Sequence, residues 1–358
     1  MPILPLHGHE QLRARLIDAA RRGSLPGSLL FHGPRGVGKQ RLALWLGQML
    51  LCEAAEGERP CGRCQSCRYA LELAHPDIRW FFPRPRPKDA DQSPEEVLAD
   101  YTDASIERLK SGGLYAAPSG SEGIHVATVR AIVAAAALSP ALGRRKVFVV
   151  GDAERMVAQE GVEFAANAFL KLLEEPLPDT TIVLTTCEPG ALLPTVRSRV
   201  AAVRVPPLRD EEVRAFVESE TVAKALAGEP IPRGTEDRVR LAAGAPGILL
   251  GGVAREGADV QARRILNAVD GPVADRYQVA LSQGVSGARG AYSDALEALT
   301  ELLHERVRGA VGRGDEPQAL ANARAVECVE RARERAYGNA NPQLVTTALI
   351  ADLSRALR

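Results

Sequence analysis

At 358 residues, with no formal net charge, 46% hydrophobic and 25% charged residues, the chain has the composition of a soluble globular protein of about two or three domains. The balanced charge excludes a bulk basic field of the kind that drives independent nucleic-acid binding, and no apolar run approaches the ~18 residues of a transmembrane helix. The N-terminus MPILPLHGHEQ lacks the basic-then-apolar pattern of a signal peptide, so a cytoplasmic location is expected, with the six cysteines reduced or metal-bound rather than disulfide-paired.

Leu12, Leu16, Ile17 and Ala20 recur at helical spacing and stop at Gly23, which predicts a first helix over 10–22. Pro26-Gly27 then introduces a short apolar run, Leu29-Leu30-Phe31, and the segment Gly33-Pro34-Arg35-Gly36-Val37-Gly38-Lys39-Gln40. Seven of the eight positions of a phosphate-binding loop are met: Gly33, four spacers, Gly38 and Lys39. The glycines let successive backbone N–H groups turn toward phosphate oxygens at a helix N-terminus, and Lys39 supplies a point charge for the β/γ-phosphates. The eighth position calls for a Ser or Thr hydroxyl on Mg²⁺ and holds Gln40 instead. An amide arm suits the ion's demand for near-ideal octahedral geometry poorly, so the loop is expected to hold phosphates without supporting metal-assisted hydrolysis. A Gly-rich turn with no ligand is the plainer alternative.

The next helix carries Leu42, Leu46, Met49 and Leu50 on one face, with Trp45 nearby, and ends near Cys52. Cys52, Cys61, Cys64 and Cys67 follow as C-x8-C-x2-C-x2-C, with Gly57, Pro60 and Gly62 supplying turns. Four thiolates in so short a span can close around one tetrahedral Zn²⁺, and nothing in the set provides an open position or a general base, so a structural zinc module over 52–67 is expected. A ferredoxin-type cluster would need a fourth Cys where Leu71 stands, and free surface thiols are the remaining alternative. Cys187 and Cys328 are isolated and read as semi-buried thiols.

A strand is predicted over 77–82, and the Pro-, Gly- and Ser-rich stretch 83–123 reads as a long, mostly flexible surface insertion with a short helix at 95–109. An Ala-rich helix at 126–138 precedes the apolar run 146–150, a parallel strand buried on both faces, with Gly151 and Asp152 at the C-terminal end where ligands gather in open α/β sheets. Phe164, Ala168, Leu170, Leu172 and Leu173 mark a helix that Pro176 ends; strands at 181–184 and 200–205 flank Thr185-Thr186 and Leu193–Arg199. Pro206-Pro207-Leu208 is a hinge-like break. Residues 210–254 are mainly helical, and the pattern stays helical from 259 on, with Leu296, Leu299, Leu302 and Leu303 at core spacing. The Arg-rich stretches 306–313 and 324–335 read as solvated helix faces laced with Glu.

In this order (phosphate loop, four-cysteine module, ANAFLKLLEEP at 166–176, TT-x-EP at 185–189, LLPTVRSR at 192–199) the chain closely resembles the delta-prime family of bacterial DNA polymerase III clamp-loader subunits, a branch of the AAA+ group. The resemblance is strong over about 6–208 and architectural beyond. It implies an α/β AAA+ phosphate-loop domain with a parallel sheet and the zinc module (1–207), a small helical lid (208–256) and an all-α collar domain (257–358) that joins the subunits. Partners implied are the gamma/tau motor and delta subunits, with the sliding clamp and primed DNA reached through the complex. A membrane has no part in it.

Motor subunits of this family end the buried strand in Asp-Glu and carry a nucleotide-contacting Arg in the lid. Aligned on 146–150, Gly151 stands at the first position of that pair and Asp152 at the second, and Gly-Ala-Pro-Gly (244–247) stands in the lid segment. Gly33, Pro34, Arg35, Gly36, Val37, Gly38, Lys39, Gln40, Asp152 and Thr186 are thus the nucleotide-site positions carried over, with ATP/Mg²⁺ doubtful in this subunit. The chain alone is expected to lack ATPase activity. Ser198-Arg199 matches the family's Ser-Arg-Cys motif, with Val200 replacing the Cys, and the resemblance makes Arg199 the candidate trans arginine finger. An active gamma/tau-type motor ATPase and a stand-alone zinc- and nucleotide-binding regulator are the rival expectations.

Overall fold

The computed structural model describes residues 2–85, 92–114, 122–156, 163–229, 231–250, 252–283, 291–337 and 340–357. They form two compact units, one within residues 1–117 and 123–250 and one within 118–122 and 251–358.

The first unit is built on five strands: β1 (Ser28–His32), β2 (Ile78–Phe81), β3 (Lys146–Val150), β4 (Thr180–Thr186) and β5 (Ala201–Arg204). They pair in parallel in the order β2-β3-β4-β1-β5. Leu29, Leu30, Phe31, Val147–Val150 and Ile182–Leu184 are almost wholly removed from water, as continuous apolar strands covered on both faces require. Helices α1 (Glu10–Arg21), α2 (Lys39–Leu51), α3 (Gln65–Leu71), α4 (Pro94–Leu109), α5 (Val126–Ala137), α6 (Glu163–Glu174) and α7 (Pro194–Arg197) connect them. The register pairs His32 with Thr186 and Val150 with Leu184. The loops that leave β1, β3 and β4 therefore emerge at one end of the sheet, which is where an open parallel sheet builds its site.

Within residues 83–123 the helix expected at 95–109 forms, and it is packed into the fold rather than lying on a loose surface insertion. Helix α4 runs for 16 residues, opened by a reciprocal capping box between Ser93 and Glu96 with Pro94 in the first turn. It buries Val97, Tyr101 and Ala104 in the main core, and the Tyr101 hydroxyl donates to the Phe82 carbonyl (2.9 Å). The apolar spacing of this helix and its packing on β2 outweigh the polar composition around it. The flexibility expected of 86–91 and 115–121 concerns residues outside those described.

Beyond β5, α8 (Asp210–Glu218), α9 (Glu220–Ala225) and α10 (Thr235–Ala242) gather a small core of their own from Leu208, Val213, Val217, Val222, Leu226, Val239 and Leu249, joined by Leu4 from the N-terminus. The second unit contains α11 (Gly252–Asp270), α12 (Val273–Leu281), α13 (Ser293–Gly312), α14 (Glu316–Tyr337) and α15 (Pro342–Ala356). Leu296, Leu299 and Leu303 are buried at its centre with Ile265, Val329, Leu349 and Leu353, while Leu302 is partly buried. Arg306, Arg308, Arg313, Arg324, Arg331 and Arg335 are exposed among exposed Glu305, Glu327 and Glu334, the solvated faces that the charge pattern suggests.

Candidate functional site

Gly36 (φ +78°) and Gly38 (φ +95°) take left-handed backbone conformations that only glycine adopts without strain, and they wrap the chain from β1 into α2. Gly33 has a different reason to be glycine: a Cβ there would fall 2.2 Å from the Val205 carbonyl oxygen. The loop thus has the turn that a phosphate cradle needs. Lys39 is buried, and its ammonium donates to the loop's own carbonyls, Gly33 O (2.9 Å) and Pro34 O (2.8 Å).

Position 40 decides what the cradle can do. The Gln40 Oε1 accepts from the Trp80 indole N–H (2.9 Å), and its Nε2 donates to Asp152 Oδ2 (3.1 Å). The amide lies directly over Gly151, where an added Cβ would be 2.4–2.7 Å from it. Phosphate loops ordinarily work with Mg²⁺, but these residues do not fit that ion. The Gln40 amide has both ends committed, and Gly151, just past the strand opposite, has no side chain at all. Glu154, two residues past Asp152, accepts from the Cys187 thiol (2.9 Å), and burial, then the Asp152 charge, pushes its carboxyl above the usual carboxylate range. Thr186 is wholly buried, and its hydroxyl accepts from the Glu188 N–H (2.9 Å).

Behind the loop lies a basic cluster that the sequence did not announce. His9 bonds the Val37 carbonyl through Nε2 (2.9 Å), and Arg41 donates from Nε to the Leu4 carbonyl (2.8 Å). Burial, then the neighbouring Arg13, brings the Arg41 guanidinium down to about 10. Burial likewise lowers His7 and His9, so both imidazoles favour the neutral form.

The segment 244–248 closes over the loop tip. Gly247 N–H donates to the Gly36 carbonyl (2.8 Å), and Ile248 packs on Gly36. A Cβ at 247 would stand 2.8 Å from the Gly36 Cα and carbonyl oxygen, and backbone cannot swing aside as a side-chain tip can. Gly247→Ala is therefore expected to loosen this contact and destabilise the first unit by about 1–2 kcal/mol, read as a lower midpoint in urea with the slope unchanged. An unaltered midpoint would mean that the two loops part at no cost.

Arg199, after α7, stands on the surface of the first unit with its side chain 30% exposed. It donates from Nε to Glu174 Oε2 (2.8 Å) and from Nη1 to the Thr195 carbonyl (3.0 Å). On α6, Phe169 and Leu173 are buried while Asn167, Lys171 and Glu174 are exposed, one helix face of the ANAFLKLLEEP motif turned outward.

The four cysteines come together as their spacing predicts. All four Sγ atoms lie within 4.8 Å of one another. Cys52 ends α2 and Cys64 caps α3, accepting from the Cys67 N–H; Cys61 N–H donates to Cys52 Sγ and Cys64 N–H to Cys61 Sγ, both at 3.3 Å. Amide donors of this kind favour thiolates, and the N–H groups of Arg63 and Cys64 bring Cys61 down to about 6. The set can hold one metal ion, and its all-sulfur donors suit zinc.

A family model described as DNA polymerase III, delta subunit, matches residues 8–209, more than half of the chain. The chain belongs to this family. It is 30% identical over 217 residues to the DNA polymerase III subunit delta' of Pseudomonas aeruginosa, covering 61% of this chain and 52% of that one. It is also 31% identical over 192 residues to the gamma/tau subunit of Mycobacterium tuberculosis, covering 54% of this chain and 26% of that protein. The chain thus spans about half the length, or less, of these curated relatives. Among solved structures, a gamma subunit-related protein of Thermotoga maritima aligns over 96% of this chain and 99% of its own at 18% identity and a TM-score of 0.42, too slight a likeness to argue from.

Of the positions carried over by resemblance, the structure brings Gly33–Gln40, Asp152 and Thr186 to one end of the sheet of this delta-family chain and sets Arg199 apart on its surface. Trp80, Gly151, Gly247 and Glu174 complete the picture. Trp80 and Glu174 act through contacts 40 and 25 residues away in sequence, which no local pattern reveals.

Proposed function

We propose that this chain serves as the delta-prime-type subunit of a bacterial DNA polymerase III clamp loader. It braces the assembly and supplies Arg199 in trans while gamma/tau motor subunits bind ATP, open the sliding clamp and place it on primed DNA. The reading divides it into an AAA+ domain (1–207) with a structural Zn²⁺ on Cys52, Cys61, Cys64 and Cys67, a lid (208–256) and a collar domain (257–358). The delta subunit is a further partner, and the setting is cytoplasmic. Identities of 30% and 31% to delta' and gamma/tau relatives do not choose between subunit types. The observation that carries the choice is the Gln40 amide, bonded to Trp80 and Asp152 and lying over Gly151, in the place where a motor would hold Mg²⁺.

The similarity to gamma/tau proteins supports a second reading, an active motor. ATP turnover separates the two. The purified chain should show none, and its addition to motor and delta subunits should stimulate turnover equally with Lys39 or with Lys39→Ala. Arg199→Ala should slow the assembled complex severalfold, because the motor site facing this subunit loses a guanidinium that stabilises transition-state charge while the other motor sites keep theirs. Turnover by the chain alone that vanishes in Lys39→Ala would establish the motor reading instead.

A further inference from the structure

The outward face of α6 has a pattern that folding does not require. Phe169 and Leu173 bury the helix, yet Asn167, Lys171 and Glu174 recur at i, i+4 and i+7 on the exposed side. Glu174 has a definite partner there. Its Oε2 accepts the Nε–H of Arg199 at 2.8 Å, while Arg199 Nη1 donates to the Thr195 carbonyl at 3.0 Å and to the Ser198 hydroxyl at 3.4 Å. A guanidinium carries five N–H donors in a rigid plane. The Nε edge and Nη1 are held by this chain's own α6 and α7, and Nη2 makes no bond among the described residues. The arrangement fixes the plane of the guanidinium and leaves the Nη2 donors uncommitted among the described residues.

We infer that Glu174 is the positioning residue for Arg199, orienting the guanidinium so that its uncommitted donors meet the terminal phosphate of a nucleotide held by a neighbouring subunit. The inference rests on the trans-finger reading above and adds a role for the acid of the Leu-Glu-Glu-Pro segment. An exposed arginine samples many rotamers, and a finger must be caught in one of them when the neighbour's phosphate is in place. Glu174 is suited to this because it takes the Nε–H alone, so that the neighbouring Nη2 group keeps its own donors for a phosphate. Its side chain is 58% exposed and its ion pair weak in itself, which places its value in geometry rather than in stability.

The test is steady-state ATP turnover by the reconstituted loader, with kcat and KM resolved, for loaders carrying wild-type chain, Glu174→Gln, Glu174→Asp, Arg199→Ala or the pair Glu174→Gln/Arg199→Ala. Each variant is first shown to co-migrate with its partners. Glu174→Gln should lower kcat roughly two- to fivefold with KM for ATP unchanged, and Glu174→Asp, which keeps the charge but shortens the reach, should do the same. On the Arg199→Ala background, Glu174→Gln should cause no further loss, since there is nothing left to orient. A normal kcat for Glu174→Gln beside a slow Arg199→Ala would overturn the positioning role and leave the finger standing. So would full activity of Glu174→Asp, or a Glu174→Gln loss that persists without the arginine. If Arg199→Ala itself turns over normally, the finger reading falls and this inference with it.

Discussion

Cys64→Ser should empty the metal cluster while leaving the helix that follows it intact. Cys64 has two tasks: its Sγ belongs to the four-sulfur set, and as the cap of α3 it accepts from the Cys67 N–H. Serine is among the best residues at a helix N-cap, so the substitution preserves the second task and removes the first. Wild-type chain purified without chelator is expected to carry one zinc, and Cys64→Ser close to none. The stability lost should be about 2–5 kcal/mol, below the full binding energy of an isolated zinc peptide because α2 and the sheet core hold one end of the module in place. The pH dependence has a definite sign. Burial pushes the Cys52 and Cys67 thiols up, so both must give up protons when metal binds, and affinity should rise with pH through the neutral range. Absence of zinc from the wild type by metal analysis would remove the premise, and unchanged zinc in Cys64→Ser would remove that ligand.

What the sequence made legible and what it hid divide along a physical line. Spacing within one segment was enough for the phosphate loop, the four cysteines and the apolar strands, because turn geometry, ligand reach and two-sided burial are local demands. Helix α4 was half legible: its Ser-Pro-Glu-Glu start is a capping signal, but the polar stretches on either side disguised the buried stripe of Val97, Tyr101 and Ala104. The meaning of Gln40 was beyond reach. Its partners lie 40 and 112 residues away, and only the fold shows that an absent hydroxyl and an absent carboxylate are one packed arrangement rather than two separate losses.

That coupling yields a measurable expectation. Gly151→Asp restores the acid that motor subunits carry at the end of this strand, yet alone it should destabilise the first unit by about 2–4 kcal/mol. The clash itself is cheap to relieve, since what lies 2.4–2.7 Å from the new Cβ is the free end of the Gln40 side chain. The cost comes from where that end must go. Displacing it takes the acceptor from the buried Trp80 indole N–H and the donor from Asp152, and it sets a third carboxylate beside Asp152 and Glu154, whose carboxyl is already pushed up by burial and by the Asp152 charge. Gln40→Thr in the same chain clears the space and supplies a hydroxyl of the kind Mg²⁺ accepts. The double variant should therefore be less destabilised than the two single changes sum to, by at least about 1 kcal/mol, and excess Mg²⁺ should stabilise it while leaving the wild type unmoved. Strictly additive losses, with no response to Mg²⁺, would mean that Gln40 and Gly151 are independent substitutions and that the amide over the glycine is incidental. A coupled loss with a Mg²⁺ response would mean that the site exchanged a cation for an amide as a unit, which two further substitutions can reverse.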